Sequence, residues 1–281
     1  MTSISALWIG GRLSPYETLS LKSFLDYGHE VDLYTYDSQL DAPEGIVLRD
    51  ANEVVNARSV FENPNHKGTW AGFSNIFRYE LLRSRPTIWV DTDVVALGPK
   101  ISSTHGFVFG WESPEYLNGA VLGGPMGSDF TERLVDEALQ IDRHTFQWGD
   151  LGPKLVTRVV HELGLESYAQ RQHAFYPIGF RDVWMLFDPE SREDVEAAVS
   201  GSEVLHWWNE ALRRAPSNVK EFLPPKGSFF AALFEEHGAL SPEMPRLQDD
   251  WSRQKWKKRI QQGPSLPERL WGRITGRSKP S

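Results

Sequence analysis

Two aspartates, Asp91 and Asp93, stand inside the otherwise apolar run "TIWVDTDVVAL" from Thr87 to Leu97. The stiff side chains of Ile88, Trp89, Val90, Val94 and Val95 fit a pleated surface covered on both faces, so the run reads as a buried strand. A carboxylate taken out of water is costly unless a cation or a set of donors meets it. At i and i+2 of an extended segment both carboxylates leave the same face. They could therefore share one divalent metal ion, provided the strand ends there and the site opens to solvent.

Such a pair needs a frame to hold it. Residues 4–9 read as a first strand, closed by the turn Gly10-Gly11. "SPYETLSLKSFLDYG" reads as a helix, with Ser14 as N-cap, Pro15 at the first helical position, Glu17 completing a capping box and Gly28 past the end. "EVDLYTY" alternates as a second strand. A strand, a helix and a strand within about thirty-five residues make a βαβ unit, which predicts an α/β fold with a mixed, mostly parallel central sheet flanked by helices. After a polar loop over residues 56–68, Phe73, Ile76, Phe77, Leu81 and Leu82 recur at helical spacing and leave Ser74, Asn75 and Arg78 on or beside a second face. "GFVFGWE", "NGAVLGG" and "SEVLHWW" read as further strands, and residues 128–139 and 152–163 as helices.

The chain has 281 residues, 40% apolar and 24% charged, enough for one large domain over residues 1–245 and a distinct tail over 246–281. It contains no Cys, which excludes disulfides, thiolate metal sites and a thiol nucleophile. The opening "MTSISALWIGG" lacks a basic leader and its apolar run is short, so residence in the cytoplasm is expected. Residues 246–281 hold ten Lys/Arg against three Asp/Glu, although the whole chain carries a net charge of −8. The acidic body argues against a nucleic-acid substrate. The tail places Trp251, Trp256 and Trp271 among its cations. It either lies peripherally on an anionic membrane surface or is a solvated terminus.

Three readings of "WVDTDVV" compete. Asp91 and Asp93 could end a strand at a switch point of the sheet and hold Mn²⁺ or Mg²⁺ against a nucleotide diphosphate. The run also matches the hydrophobic strand and Asp-x-Asp of haloacid-dehalogenase-type phosphohydrolases, in which the first Asp is a nucleophile. Alternatively, both are surface aspartates satisfied by water or backbone amides. The phosphohydrolase pattern sets its aspartates on the first strand and needs a later acidic cluster, whereas "WGDLGP" offers one Asp after two preceding strands.

In order along the chain, "LWIGGRLSPYE", "FSNIFRYELL", "WVDTDVV", "NGAVLGGP", "WGDLGPKLVTRVV" and "VLHWWN" resemble the glycosyltransferases with a DXD sugar-binding region. That group includes capsular polysaccharide transferases, fungal initiating mannosyltransferases and, more remotely, the glucosylating domains of clostridial toxins. The resemblance spans roughly residues 4–236. It implies a GT-A fold, a UDP- or GDP-sugar donor, Mn²⁺ or Mg²⁺, and a saccharide or lipid-linked saccharide acceptor.

Carried over residue by residue, it makes Asp91 and Asp93 the DXD pair and His206 the late metal ligand, a position that a structural histidine would also explain. Trp8, followed by Ile9 and Gly10, matches the place where relatives stack a ring on uracil; a core tryptophan is the other reading. Ser74, Asn75 and Arg78 match a donor-binding motif that has Asp where this chain has Asn75. Trp89, two residues before the pair, and Thr92, between its members, are donor-binding positions by the same resemblance. Asn118 matches a residue near the anomeric carbon, Asp150 a region of acceptor contacts, and Lys226 and Ser228 a loop closing over the leaving diphosphate. Arg85-Pro86-Thr87 replaces the family's Gly-Gly before the strand, predicting a rigid approach to the sheet. The expected protein is a metal-dependent retaining glycosyltransferase of surface polysaccharide or glycolipid synthesis. A phosphohydrolase and a silent sugar-nucleotide-binding protein are its alternatives.

Overall fold

A computed structural model describes residues 2–64, 68–213, 215, 218–241, 243–247 and 256. Two compact units divide the chain: Met1–Pro177 with Gly201–His206, and Ile178–Ser200 with Trp207–Ser281.

The first unit contains β1 (Ser3–Trp8), α1 (Pro15–Asp26), β2 (Glu30–Thr35), β3 (Val47–Asp50), α2 (Ala71–Ser84), β4 (Ile88–Val90) and β5 (Val94–Ala96). β6 (Val108–Trp111), β7 (Leu117–Gly123), α3 (Asp129–Gln140), α4 (Pro153–Glu162), the short α5 (Gln172–Phe175) and β8 (Val204–His206) complete it. Six strands form one sheet in the order β3-β2-β1-β4-β7-β6. β1 pairs in parallel with β2 and β4, and β2 with β3, whereas β7 runs antiparallel to both β4 and β6. This is the mixed, mostly parallel sheet expected.

Local chemistry explains the first βαβ unit. Ser14 caps α1 and Glu17 closes the capping box, its carboxylate accepting from the Ser14 N–H at 3.0 Å. The rigid Arg85-Pro86-Thr87 approach is tied down rather than disruptive. Thr87 Oγ1 donates to the Ser3 carbonyl at 3.0 Å and lies 2.9 Å from Ser5 Oγ, which locks β4 against β1. Beneath this edge Tyr34, Phe73, Phe77 and Trp89 interlock in the core, with Tyr34 edge-on to Phe77 at 5.6 Å.

The aspartate run departs from its expected single strand. β4 ends at Val90, β5 starts at Val94, and the Val94 N–H returns to the Asp91 carbonyl at 3.1 Å to close a turn. β4 belongs to the large sheet, while β5 pairs antiparallel with β8. Asp91 and Asp93 therefore meet across a turn and not by alternation along one strand face. Asp-Thr-Asp has weak strand preference and strong turn chemistry, and the chain changes partner there.

The second unit holds α6 (Arg192–Val199), α7 (Asn209–Arg213) and α8 (Phe229–Glu236). Phe187 anchors its core, edge-on to Phe230 at 5.0 Å and to Trp256 at 5.1 Å. Trp256 is fully buried, so this tail ring packs in a protein core instead of facing a membrane. Trp251, Trp271 and the rest of the tail beyond Leu247 lie outside the described residues. Among the described residues, no helix is long and apolar enough to cross a membrane.

Candidate active site

Parallel strands end on one edge of a sheet, and an antiparallel neighbour begins there. β1 and β4 bring Trp8 and Asp91 to that edge, and β7 starts beside them with Leu117 and Asn118. Open α/β sheets bind ligands outside such carboxyl ends.

Arg78 is the fulcrum of the site. It projects from the buried face of α2, 5% exposed, with Nη1 donating to the Gly119 carbonyl at 2.5 Å and Nη2 to Asp91 Oδ1 at 2.7 Å. Its guanidinium lies 5.1 Å from the Trp89 ring centroid, and Trp89 Nε1 donates to the same Asp91 Oδ1 at 2.7 Å. This cradle requires Gly119: a Cβ there would stand 2.6 Å from Arg78 Nη1. Two donors thus hold Asp91 Oδ1, while Oδ2 has no hydrogen-bond partner among the described residues.

His206 reaches the site through strand register. β8 pairs with β5 so that His206 faces Val94, which puts the imidazole beside Asp93. Its Nε2 is 3.1 Å from Asp93 Oδ2. The other side of β5 is secured where the Ala96 N–H donates to Ser23 Oγ of α1 at 2.8 Å. At the start of β8, Glu203 accepts from the Ser102 N–H at 2.6 Å and faces Lys100 Nζ at 3.1 Å.

Asp91, Asp93 and His206 each offer a ligand atom, and the three atoms lie within 4.8 Å of one another. Two ligands about 2.1 Å from one ion at a right angle would be about 3 Å apart, the separation His206 and Asp93 already have. Two carboxylate oxygens and one imidazole suit Mn²⁺, and Mg²⁺ less well. The residues fit the expected ion.

Electrostatics agree with that donor set. Burial raises the Asp91 carboxyl above its ordinary value, against the pull of Arg78, and Asp93 adds to the rise. Burial also works against the His206 imidazolium, but the adjacent Asp93, helped by Asp91 and Glu112, lifts it above the ordinary histidine value. Asp91 and Asp93, with Glu112 close enough to act on His206, outnumber the one guanidinium paired here, that of Arg78, which leaves an acidic place for a divalent ion.

The remaining expected residues fall into distinct places. Trp8 is half-buried, its Nε1 donating to the Gly11 carbonyl at 2.6 Å, and exposed Gly10 has φ +143, a backbone that favours glycine. Ile9 is likewise partly exposed, as is Thr92 within the aspartate turn. Ser74 and Asn75 sit half-buried on α2, and a Cβ on Gly152 would come within 3.3 Å of the Asn75 amide. Asp150 has local duties on both oxygens: Oδ2 accepts from the Gln147 N–H at 2.7 Å and Oδ1 from Lys154 Nζ at 2.7 Å. Lys226 is an exposed turn residue of the second unit. Ser228 is fully buried, and its hydroxyl caps α8 by accepting from the Ala231 N–H at 3.2 Å.

Asn118 is buried at the start of β7, its Oδ1 accepting from the Ala120 N–H at 2.7 Å and its Nδ2 donating to Glu112 Oε2 at 2.5 Å. Glu112, which the sequence analysis did not single out, stands against Asn118 at this edge. Its signal was a carboxyl directly after the buried strand "GFVFGW", the pattern that drew notice to Asp91.

Residues 127–237 match the model of the alpha 1,4-glycosyltransferase conserved region. The matched stretch is short of half the chain. It includes His206 and Asp150 and begins after the aspartate pair. Curated relatives that cover about half of this chain are lactosylceramide 4-alpha-galactosyltransferases. The Pongo pygmaeus protein is 27% identical over 161 residues, covering 51% of this chain and 72% of that sequence. The Homo sapiens protein is also 27% identical over 161 residues, covering 44% of that sequence, and the Rattus norvegicus protein is 29% identical over 149 residues, covering 40%. The chain thus spans less than half the length of the human and rat proteins. Among solved structures, the PaToxG glycosyltransferase has a TM-score of 0.46 at 16% identity, over 59% of this chain and 71% of its own. The apo-form glycosyltransferase GlyE of Streptococcus pneumoniae TIGR4 has a TM-score of 0.42 at 12% identity, over 91% and 63%. The chain thus shows distant homology to the lactosylceramide 4-alpha-galactosyltransferases.

Proposed function

We propose that this chain is a metal-dependent, retaining glycosyltransferase with a GT-A type sheet, moving a hexose from a nucleotide diphosphate to a hydroxyl of a saccharide or glycolipid. The convergence of Asp91, Asp93 and His206 at one sheet edge carries the reading. The relatives' name supports a galactosyl group and a lactose-terminated glycolipid as first substrates to try.

When bound, the divalent ion supplies the positive charge that makes a diphosphate a good leaving group. The chain's own residues do the rest. Arg78 and Trp89 hold Asp91 in one orientation, so its remaining oxygen needs no reorganisation on binding. Trp8, at the end of β1, offers a flat face to the nucleobase. Transfer breaks the bond between the anomeric carbon and the phosphate oxygen and forms one to the acceptor oxygen on the same face. The acceptor proton passes to the departing phosphate oxygen. The conserved region and the galactosyltransferase relatives favour this over phosphomonoester hydrolysis.

A thermal-shift panel of UDP- and GDP-sugars, each with and without Mn²⁺, tests the proposal. A ligand that binds the native state at 100 times its Kd stabilises it by about 2.7 kcal/mol, a shift of several degrees. A rise with one donor that requires Mn²⁺ is the expected result. Failure of every donor to move the melting temperature with Mn²⁺ present would remove the reading.

A further inference from the structure

Glu112 lies directly after β6, which runs in the same direction as β4, so its carboxyl comes to the sheet edge that carries Asp91. The intervening strand, β7, brings Asn118 between them. Read across the edge, the order is Trp8 on β1, Asp91 after β4, Asn118 on β7 and Glu112 after β6. A nucleotide sugar has the same linear order of base, diphosphate, anomeric carbon and sugar ring.

Asn118 is not free to turn. Its Oδ1 is taken by the Ala120 N–H, whose own carbonyl accepts from the Asp91 N–H at 2.8 Å. Its Nδ2 must then point toward Glu112, 2.5 Å away. The Tyr176 hydroxyl reaches the Asn118 carbonyl at 3.3 Å and closes the network from behind. Glu112 itself is partly buried, forms no ion pair among the described residues and receives one side-chain hydrogen bond, on Oε2. Burial pushes it up to about 7, against the opposing help of Asn118 and His206. A half-buried carboxyl with no cation and one oxygen unmet is a poor structural brace, because it bears the desolvation cost without full compensation.

We propose that Glu112, oriented by Asn118, binds the sugar being transferred, its Oε1 accepting a hydrogen bond from a ring hydroxyl. This rests on the glycosyltransferase reading above and adds a donor-sugar contact beyond the metal centre. If Glu112 only braced the β6–β7 hairpin, its loss would weaken every ligand alike or none.

The test compares wild type, Glu112→Gln and Glu112→Ala, each with Mn²⁺. Affinities are measured for the sugar nucleotide selected by the donor panel and for the matching nucleoside diphosphate without sugar. Hydrogen bonds accepted by a carboxylate are worth a factor on the order of 10 to 100 in binding. The expected result is a loss of that size for the sugar nucleotide in Glu112→Ala, a smaller loss in Glu112→Gln, and nucleoside diphosphate and Mn²⁺ binding held within about twofold. Equal weakening of both nucleotides, or no change in either, overturns the proposal while leaving the enzyme reading intact. Should Glu112→Ala not fold, Glu112→Gln alone decides by the same ratio. A wild-type protein that binds no donor with Mn²⁺ overturns both.

Discussion

His206 Nε2 stands 3.1 Å from Asp93 Oδ2, although a second unit's segment, Ile178–Ser200, intervenes in the chain between their surroundings. Strand pairing alone makes this possible: the chain returns to the first unit over Gly201–His206, and β8 places its last residue opposite Val94. Because side chains alternate along a strand, a slip of one residue would point the imidazole away.

Removing either partner should therefore abolish metal binding without unfolding the sheet. His206→Ala and Asp93→Asn are expected to weaken Mn²⁺ by at least about 100-fold, since loss of mere supporting contacts around a metal costs up to that much. Titration calorimetry with MnCl₂ measures this, with circular dichroism as the control for folding. Wild-type affinity in both variants would take the ion out of the site.

Gly119→Ala is a sharper probe of Arg78 than mutation of Arg78 itself. The added methyl would lie 2.6 Å from Nη1 and force the guanidinium off Asp91 and Trp89. Overpacking of this kind costs about 1–3 kcal/mol, visible as a lower midpoint in urea. Donor turnover should fall with it, because Asp91 loses one of the two donors that orient it.

The proton on Glu112 gives a pH signature of known sign. Its folded value, pushed to about 7 from an ordinary 4.5, means that the native state keeps a proton the unfolded chain releases. Its contribution to stability is complete below pH 4.5 and is lost as the pH rises through 7. Glu112→Gln removes that titration. Relative to wild type the variant should gain stability between pH 5 and pH 8, by up to about 3 kcal/mol. Parallel melting-temperature curves for the two proteins across that range would refute the shift.

Trp8→Ala should separate the base from the sugar. Stacking of a base on an aromatic ring is worth about 1–3 kcal/mol, so KM for the donor should rise roughly five- to 150-fold, with Mn²⁺ affinity unchanged. Unaltered KM would return Trp8 to a structural role.

Local signals were legible along the chain. The Ser14–Glu17 capping box, the Pro15 start and the apolar spacing of α2 each depend on neighbours within a few residues, and each stands where the sequence implies. The strands "NGAVLGG" and "SEVLHWW" were equally visible as short buried runs. Ser228 carries two meanings that spacing alone does not separate: the same Ser that suits a phosphate-binding loop also suits a helix N-cap, and in the structure it caps α8.

By itself the sequence determined which chemistry was available: two carboxylates beside a buried run, a histidine closing another, no thiol, and an arginine on a helix leading to the aspartates. Tertiary structure decided how they meet. It broke the aspartate run into two strands of different sheets, set His206 across from Val94, and aligned Glu112 with Asn118 on the same edge. The physical reason is that sheet partners and register arise from packing between segments distant in the chain, whereas composition and spacing record only what each segment prefers alone.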